Sequence, residues 1–206
     1  MRWTEIAAFA SSAFLLNLSP GPSILYVMST SISSGRRAGV AGALGLASGS
    51  AFWAILSALG VSALIASSTT AFNLMRYFGA AYLLFLGISG LKDPPFKVGE
   101  TSGNRRTSGA SSYLRGFVVE ATNPKTVTFF LALVPQVLAT FEGSSTIDLV
   151  ALCLIVPMTA IPIDMTVGLT GGTVARGIAK RPAVGAVLNY VASAVLIGLG
   201  FLVLVK

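Results

Sequence analysis

The chain has 206 residues, of which 54% are hydrophobic and only 10% are charged, and its mean hydropathy is +0.81. This composition leaves too little polar surface to cover a soluble domain of that size, so it predicts an integral membrane protein embedded in a lipid bilayer. The net charge of +7 does not indicate a nucleic-acid partner, because the basic residues stand between apolar segments, where they orient a chain in the membrane.

Apolar runs of about twenty residues, the length that crosses a bilayer as a helix, recur six times along the chain. We therefore expect an all-α fold with six transmembrane helices, at residues 4–31, 38–66, 71–91, 113–139, 147–171 and 183–205. A Gly/Ser-rich connection, 92–112, separates the third span from the fourth and predicts a solvated loop. The chain is then a single transmembrane domain, with one half at 1–91 and the other at 113–206.

The first span is interrupted by the sequence from Asn17 to Pro22, which contains Pro20, Gly21 and Pro22. The two prolines remove two backbone donors, so the carbonyls of Leu16 and Leu18 lose their helical partners. In hydrocarbon such groups are tolerated only where they face protein or a water-filled cavity. The break is either a proline kink or part of a substrate or ion site.

The fourth span carries a matching break at Asn123-Pro124-Lys125. Asn123 is a good N-cap and Pro124 suits the first helical position, so a half-helix is expected to begin here. Its free backbone donors and positive dipole end, with Lys125 beside them, would receive an anionic group such as a carboxylate. Two breaks in comparable places of two halves favour a site over two kinks.

Charged residues inside the spans are expensive to bury and indicate function. Asp164 could bind a cation, a substrate ammonium or a proton, and the alternative is a structural ion pair with Lys125. Glu120 would either balance Lys125 or act as a second proton site. At about 1.5 Å of rise per residue, Glu120, Asp164 and the first break share one layer of the inner half, and Lys125 lies near the midplane.

The basic residues are distributed unevenly among the loops. Ten of the fourteen Lys and Arg residues lie around three connections, at Arg36, Arg37, Lys92, Lys97, Arg105, Arg106, Arg115, Arg176, Lys180 and Arg181. The positive-inside bias predicts that these connections, including 92–112, are cytoplasmic and that both termini face outward.

An odd number of spans in each half predicts that any repeat is inverted. Residues 77–91 laid on residues 190–204 match at the Tyr, one Ala, three Leu and one Gly. The expected architecture is two inverted three-helix repeats in which helices 1 and 4 are broken.

Glycines in the second span, Gly35, Gly39, Gly42, Gly45 and Gly49, have spacing that lets helix backbones approach closely. This spacing predicts packing against the first span or against a second subunit, which leaves a homodimer possible.

These motifs resemble a known family. They comprise Asn17 to Pro22, the basic turn from Gly35 to Gly39, the run from Gly79 to Gly87, Asn123-Pro124-Lys125 followed by Phe129, Phe130, Pro135 and Gln136, and finally Asp164 and Asn189. In this order and along the whole chain they are similar to the LysE/RhtB family of amino-acid exporters. The resemblance implies a bacterial inner-membrane exporter of amino acids or close derivatives, driven by protons in antiport. Glu120 departs from the family's pattern, in which Asn is frequent, and the extra acid bears on the preferred substrate charge.

The predicted site follows from these observations. Substrate-binding residues are expected to be Asn17, Pro20, Gly21, Pro22, Asn123, Pro124 and Lys125, and the coupling residues Asp164 and Glu120. The alternative is a cation or metal-ion exporter of the same superfamily, with the two acids as ligands. The chain has no His and one Cys, which disfavours a metal carrier and removes a disulfide carrier. No cofactor is indicated, and no pattern of an intramembrane protease is present, so an enzyme is not expected.

Overall fold

The computed structural model describes residues 3–92, 108–141, 144–179 and 182–205. Within these ranges the chain forms ten helices and no strand. In order they are α1 (Trp3–Leu18), α2 (Pro22–Ser34), α3 (Arg36–Ser67), α4 (Thr69–Lys92), α5 (Gly109–Ala121), α6 (Pro124–Ala132), α7 (Val134–Ala139), α8 (Thr146–Cys153), α9 (Ile155–Ala179) and α10 (Pro182–Val205). Most of the predicted loop 92–112 lies outside the described residues.

The first predicted span is made of two helices, and the break between them falls where the sequence predicts it. α2 begins at Pro22, in the first-turn position that tolerates the missing N–H, and Gly21 before it is extended. α2 ends at Ser34 and is followed by the cap residue Gly35, whose φ of 87° lies in the left-handed region and whose N–H donates to the Ser31 carbonyl. α3 then runs unbroken for 32 residues.

The fourth predicted span is also broken as expected, with a bend of 49° between α5 and the helices that follow Asn123. Two further interruptions were not predicted. α6 gives way to α7 at Leu133, two residues before Pro135, and α8 gives way to α9 at Leu154, three residues before Pro157. A proline cannot donate to the carbonyl four residues earlier, so each of these helices ends one turn before its proline.

The length and hydropathy of the helices identify fewer than six membrane-spanning segments. In the ranges above, Arg36–Gly60 and Thr146–Gly171 are long and apolar enough to span a membrane, and the bent pair Gly109–Ala121 with Pro124–Ala139 adds a third. Asn189–Val205 is a shorter apolar helix. The predicted helical segments are confirmed, while the number of membrane crossings stays a prediction.

Glycines of α3 pack against other helices of the same chain. A Cβ on Gly39 would lie 2.7 Å from the carbonyl oxygen of Gly168 in α9, and one on Gly45 would overlap the backbone of Tyr113 in α5. Gly116 of α5 in turn lies against the backbone of Gly42. The predicted packing against the first span is present, through Ser31 and Tyr26 of α2. The close approaches of helix backbones are to α5 and α9, which the sequence did not predict.

α4 and α10 lie side by side in antiparallel directions. Near one end of the pair, Asn189 Nδ2 donates to the Gly90 carbonyl at 2.7 Å. Near the other end, Arg76 Nε donates to the Val203 carbonyl at 3.0 Å. These bonds fix the register of the two helices at both ends.

The same pair contains two equivalent glycine contacts. A Cβ on Gly87 would lie 2.9 Å from the Ser193 carbonyl oxygen, and one on Gly200 would lie 3.2 Å from the Ala80 carbonyl oxygen. Each glycine therefore lets its helix approach the backbone of the other. Gly87 and Gly200 are the two glycines that the sequence alignment of residues 77–91 and 190–204 places together.

Candidate functional site

The two helix breaks meet through Lys125. This residue stands in the first turn of α6, and its Nζ donates to the carbonyls of Leu16 at 3.1 Å and Ser19 at 2.9 Å. Leu16 is the residue whose carbonyl loses a helical donor at Pro20. The ammonium therefore completes the C-terminal end of α1, where a positive charge is favoured by the helix dipole.

Gly21 lies close to this ammonium. A Cβ placed on Gly21 would lie 3.5 Å from Lys125 Nζ, an ordinary van der Waals distance. The residue thus lies at the meeting point of the two breaks without overlapping the lysine.

Glu120 forms a second link between the breaks. Its Oε1 accepts a hydrogen bond from Thr126 Oγ1 at 2.7 Å, and its Oε2 accepts one from Ser23 Oγ. Thr126 stands in the first turn of α6 and Ser23 in the first turn of α2. One buried carboxylate thereby joins the beginnings of both half-helices.

Asn123 supports this link on both sides. Its Oδ1 accepts from the Lys125 backbone N–H at 3.0 Å, which caps α6. Its Nδ2 donates to Ser23 Oγ at 2.7 Å. Asn123 therefore starts one half-helix and holds the hydroxyl at the start of the other.

A small cavity lies beside these contacts. Its lining residues are Asn17, Ser23, Ile24, Leu46, Ser50, Glu120, Lys125, Ala160 and Asp164. The free volume of about 10 Å³ is close to what one water molecule needs. An amino acid is much larger, so the site must open to admit one.

Asp164 contributes the second carboxylate of this cavity. It lies on α9, and only 6% of its surface is exposed. Among the residues that the structure describes, it has no hydrogen-bond donor of its own. The Lys125 ammonium donates to backbone carbonyls rather than to this carboxylate. A buried acid of this kind is suited to a ligand or a proton.

Asn17 connects the first break to α9. Its Nδ2 donates to the Val156 carbonyl at 3.1 Å and to Thr159 Oγ1 at 3.0 Å. α9 also carries Asp164, so these bonds join the end of α1 to the helix that holds this acid.

The structure brings some of the predicted site residues together at the cavity and gives others a supporting position. Asn17, Glu120, Lys125 and Asp164 line it. Pro20, Gly21, Pro22 and Pro124 shape the backbone at the breaks, and Asn123 contacts the lining through Ser23. Asn189, which belongs to the family resemblance and not to the predicted site, lies apart, on the pair of α4 and α10.

Sequence reasoning missed the hydroxyl groups of the site. Ser23 and Thr126 hold Glu120, and Ser50 of α3 lines the cavity. A signal existed for the first two, because each follows closely on a proline that begins a half-helix. Nothing local distinguishes Ser50 from other small residues in its Gly-rich helix.

A second cavity, of about 50 Å³, lies near the beginning of α1 and is lined in part by Glu5, Phe9, Leu133 and Gln136. Phe9 stacks on the fully buried Phe129, with 6.1 Å between ring centroids. Lys125, Phe129 and Leu133 occupy one face of the same helical segment. Along this face Phe129 stands between Lys125, which lines the first cavity, and Leu133, which lines the second.

Comparisons with known proteins identify the family of the chain. The LysE type translocator family matches residues 14–206. A homoserine/homoserine lactone efflux protein of Salmonella typhimurium is 33% identical over 172 residues, which cover 84% of this chain and 81% of that protein. A leucine efflux protein of an Enterobacter species is 34% identical over 146 residues, which cover 69% and 67%.

A protein of Bacillus subtilis described as an uncharacterized membrane protein is 29% identical over 165 residues, covering 76% of this chain and 78% of that protein. No solved structure matches the chain significantly. The family match omits the first residues of α1 but extends over both helix breaks. It includes every residue that lines the first cavity. The chain therefore belongs to the LysE type translocator family, whose members are membrane transporters and not enzymes.

Proposed function

We propose that the protein exports amino acids or close derivatives across the bacterial inner membrane by proton-coupled antiport. The observation that carries this proposal is the cavity between the two helix breaks, which holds Asp164, Glu120 and Lys125. Charged groups at such a place are expected in a substrate path. The efflux functions named for two relatives support the same substrate class.

A zwitterion fits the polarity of this site. The half-helix that begins at Asn123 offers the positive end of its dipole to the substrate carboxylate. Asp164 is available for the substrate ammonium or for the exchanged proton, because its carboxylate lines the cavity. Binding of the substrate and the proton at one acid in turn would couple their opposite movements.

We also propose six membrane crossings arranged as two inverted repeats, 1–91 and 113–206. The equivalent contacts of Gly87 and Gly200 support this arrangement, because each helix of the pair α4 and α10 presents the same type of contact to the other. The broken first helix of each half then meets the other at the site.

For the orientation we propose cytoplasmic connections at the basic loops, including 92–112, and termini on the outer side. Single cysteines at Ser102 and Ser144, introduced after replacement of the buried Cys153, test this with an impermeant thiol reagent. Labelling of intact cells at position 144 alone is expected. Labelling at position 102 alone would mean that the orientation is inverted.

Transport by purified protein in liposomes tests the function itself. An acidic interior is expected to drive uptake of labelled L-homoserine or L-leucine, and a protonophore is expected to abolish the drive. Amino-acid flux that does not depend on the proton gradient would contradict antiport. Flux of divalent cations without flux of any amino acid would support the alternative, a cation exporter with Asp164 and Glu120 as ligands.

A further inference from the structure

Glu120 is held at the beginnings of both half-helices. Its two oxygens accept from Ser23 and Thr126, in the first turns of α2 and α6. The positive ends of both half-helices therefore face a carboxylate that belongs to the protein. This inference rests on the proposed export of amino acids and concerns the ligand preference of the same site.

The hydroxyl donors at this place are already in use. Each hydroxyl has one proton to donate, and the protons of Ser23 and Thr126 are both directed to Glu120. The Asn123 amide donates to the Ser23 oxygen, and Asn123 is not among the residues that line the cavity. A second carboxylate cannot receive these hydrogen bonds while Glu120 holds them.

The charges around the cavity lead to the same conclusion. Two carboxylates, Glu120 and Asp164, line it with a single ammonium, and Lys125 directs that ammonium to the carbonyls of α1. A substrate carboxylate entering beside Glu120 would meet a like charge in a buried site, where water screens it little. A cationic ligand without a carboxylate meets no such repulsion.

We propose that the Glu120 carboxylate lies in the subsite that would bind the substrate carboxylate. Glu120 thereby sets the preference between zwitterionic amino acids and cationic derivatives that lack a carboxylate. A zwitterion must displace Glu120 from Ser23 and Thr126. An ester or a lactone binds through its ammonium and leaves Glu120 in place.

The test compares two ligand pairs on purified protein in lipid nanodiscs. The pairs are L-leucine with L-leucine methyl ester, and L-homoserine with its lactone, and the Kd of each is measured by calorimetry. In Glu120→Gln the competing charge is gone and one hydroxyl is released, so the zwitterions are expected to bind about tenfold more tightly. The Kd values of the ester and the lactone are expected to rise or stay unchanged.

Asp164→Asn is the matched control, since it also neutralises one cavity acid. Both members of each pair carry an ammonium, so this change is expected to weaken both by a similar factor. A ratio of ester Kd to zwitterion Kd that does not rise in Glu120→Gln would overturn the inference. Failure of the parent protein to bind either pair would overturn the proposed function and the inference with it.

The displacement of Glu120 can also be tested on the parent protein, without the Glu120→Gln variant. Infrared difference spectra with substrate labelled in its carboxyl carbon separate the protein's carboxylate bands from those of the ligand. A protein carboxylate band that changes with the zwitterion and not with the ester is expected, because only the zwitterion displaces Glu120. Identical protein bands with both ligands would contradict the displacement.

Discussion

The two helix breaks are stabilised by different groups. The first break leaves carbonyls at the end of α1, and Lys125 supplies donors to them. The second break begins a helix, and its cap is supplied by Asn123. Glu120 lies at the starts of α2 and α6, held by hydroxyl groups.

Lys125, Glu120 and Asp164 are all charged residues inside predicted spans, but their hydrogen-bond partners differ. Lys125 and Glu120 have partners within the breaks and are not hydrogen bonded to each other. Asp164 faces the cavity without a donor among the described residues. We therefore expect the first two to affect the structure of the site and Asp164 to affect transport alone.

Lys125→Met is expected to have the largest effect, on both stability and export. It removes two hydrogen bonds from a charged donor, which are worth about 3 kcal/mol or more together, and it leaves buried carbonyls without that donor. The Tm in detergent is expected to fall by about 5 to 10 °C and export to disappear. Lys92→Met, which changes an exposed lysine at the end of α4, is the control and should change neither quantity. Lost export with an unchanged Tm would mean that Lys125 acts only on substrate.

Asp164→Asn is expected to abolish proton-linked export while the Tm and the amount of protein in the membrane stay near those of the parent. The amide keeps the shape of the side chain and loses its charge. Asp148→Asn makes the same chemical change in the capping box of α8, away from the cavity, and should leave export intact. Reduced abundance of Asp164→Asn would instead indicate that the acid is structural.

The double change Pro20→Ala and Pro22→Ala is expected to reduce export by about tenfold without blocking insertion, because two restored donors allow a more continuous helix across the break. Pro124→Ala should reduce it far less, since the side-chain cap from Asn123 remains. Equal effects of the two variants, measured in the same liposome assay, would contradict the chemical difference between the breaks.

Gly21→Ala is expected to have the smallest effect. The φ of Gly21 is −168°, an extended conformation open to any residue, and the added Cβ would lie 3.5 Å from Lys125 Nζ. The export rate should change little, and the Tm should stay within a few degrees of that of the parent. A severe loss would show that the backbone at this point must change conformation during transport.

The positions of the breaks could be predicted because their causes are local. Pro20, Pro22 and the pair Asn123-Pro124 act on their own turns of helix, and the same holds for the cap at Gly35. The interruptions at Leu133 and Leu154 have the same kind of cause, in Pro135 and Pro157. They were missed because a single proline near a helix start is often tolerated.

The partners of the charged residues could not be predicted from the sequence. Lys125 bonds carbonyls that lie more than a hundred residues earlier in the chain, and a carbonyl carries no signature of its residue type. Glu120 was left between two roles, and its bonds to Ser23 and Thr126 depend on how α2 and α6 pack together. Depth along each helix can be counted, but rotation about its axis is set by packing.

Protection of a cavity residue by substrate tests the central claim most directly. Ser50 lines the cavity and is buried, whereas Ser11 of α1 is exposed, so single cysteines at these positions on a background without Cys153 form a matched pair. Saturating L-homoserine or L-leucine is expected to slow modification by a small thiol reagent about fivefold or more at position 50 and not at position 11, as binding at this site stabilises its occupied form. Equal rates at position 50 with and without a ligand that is transported would contradict the placement of the substrate between the two helix breaks.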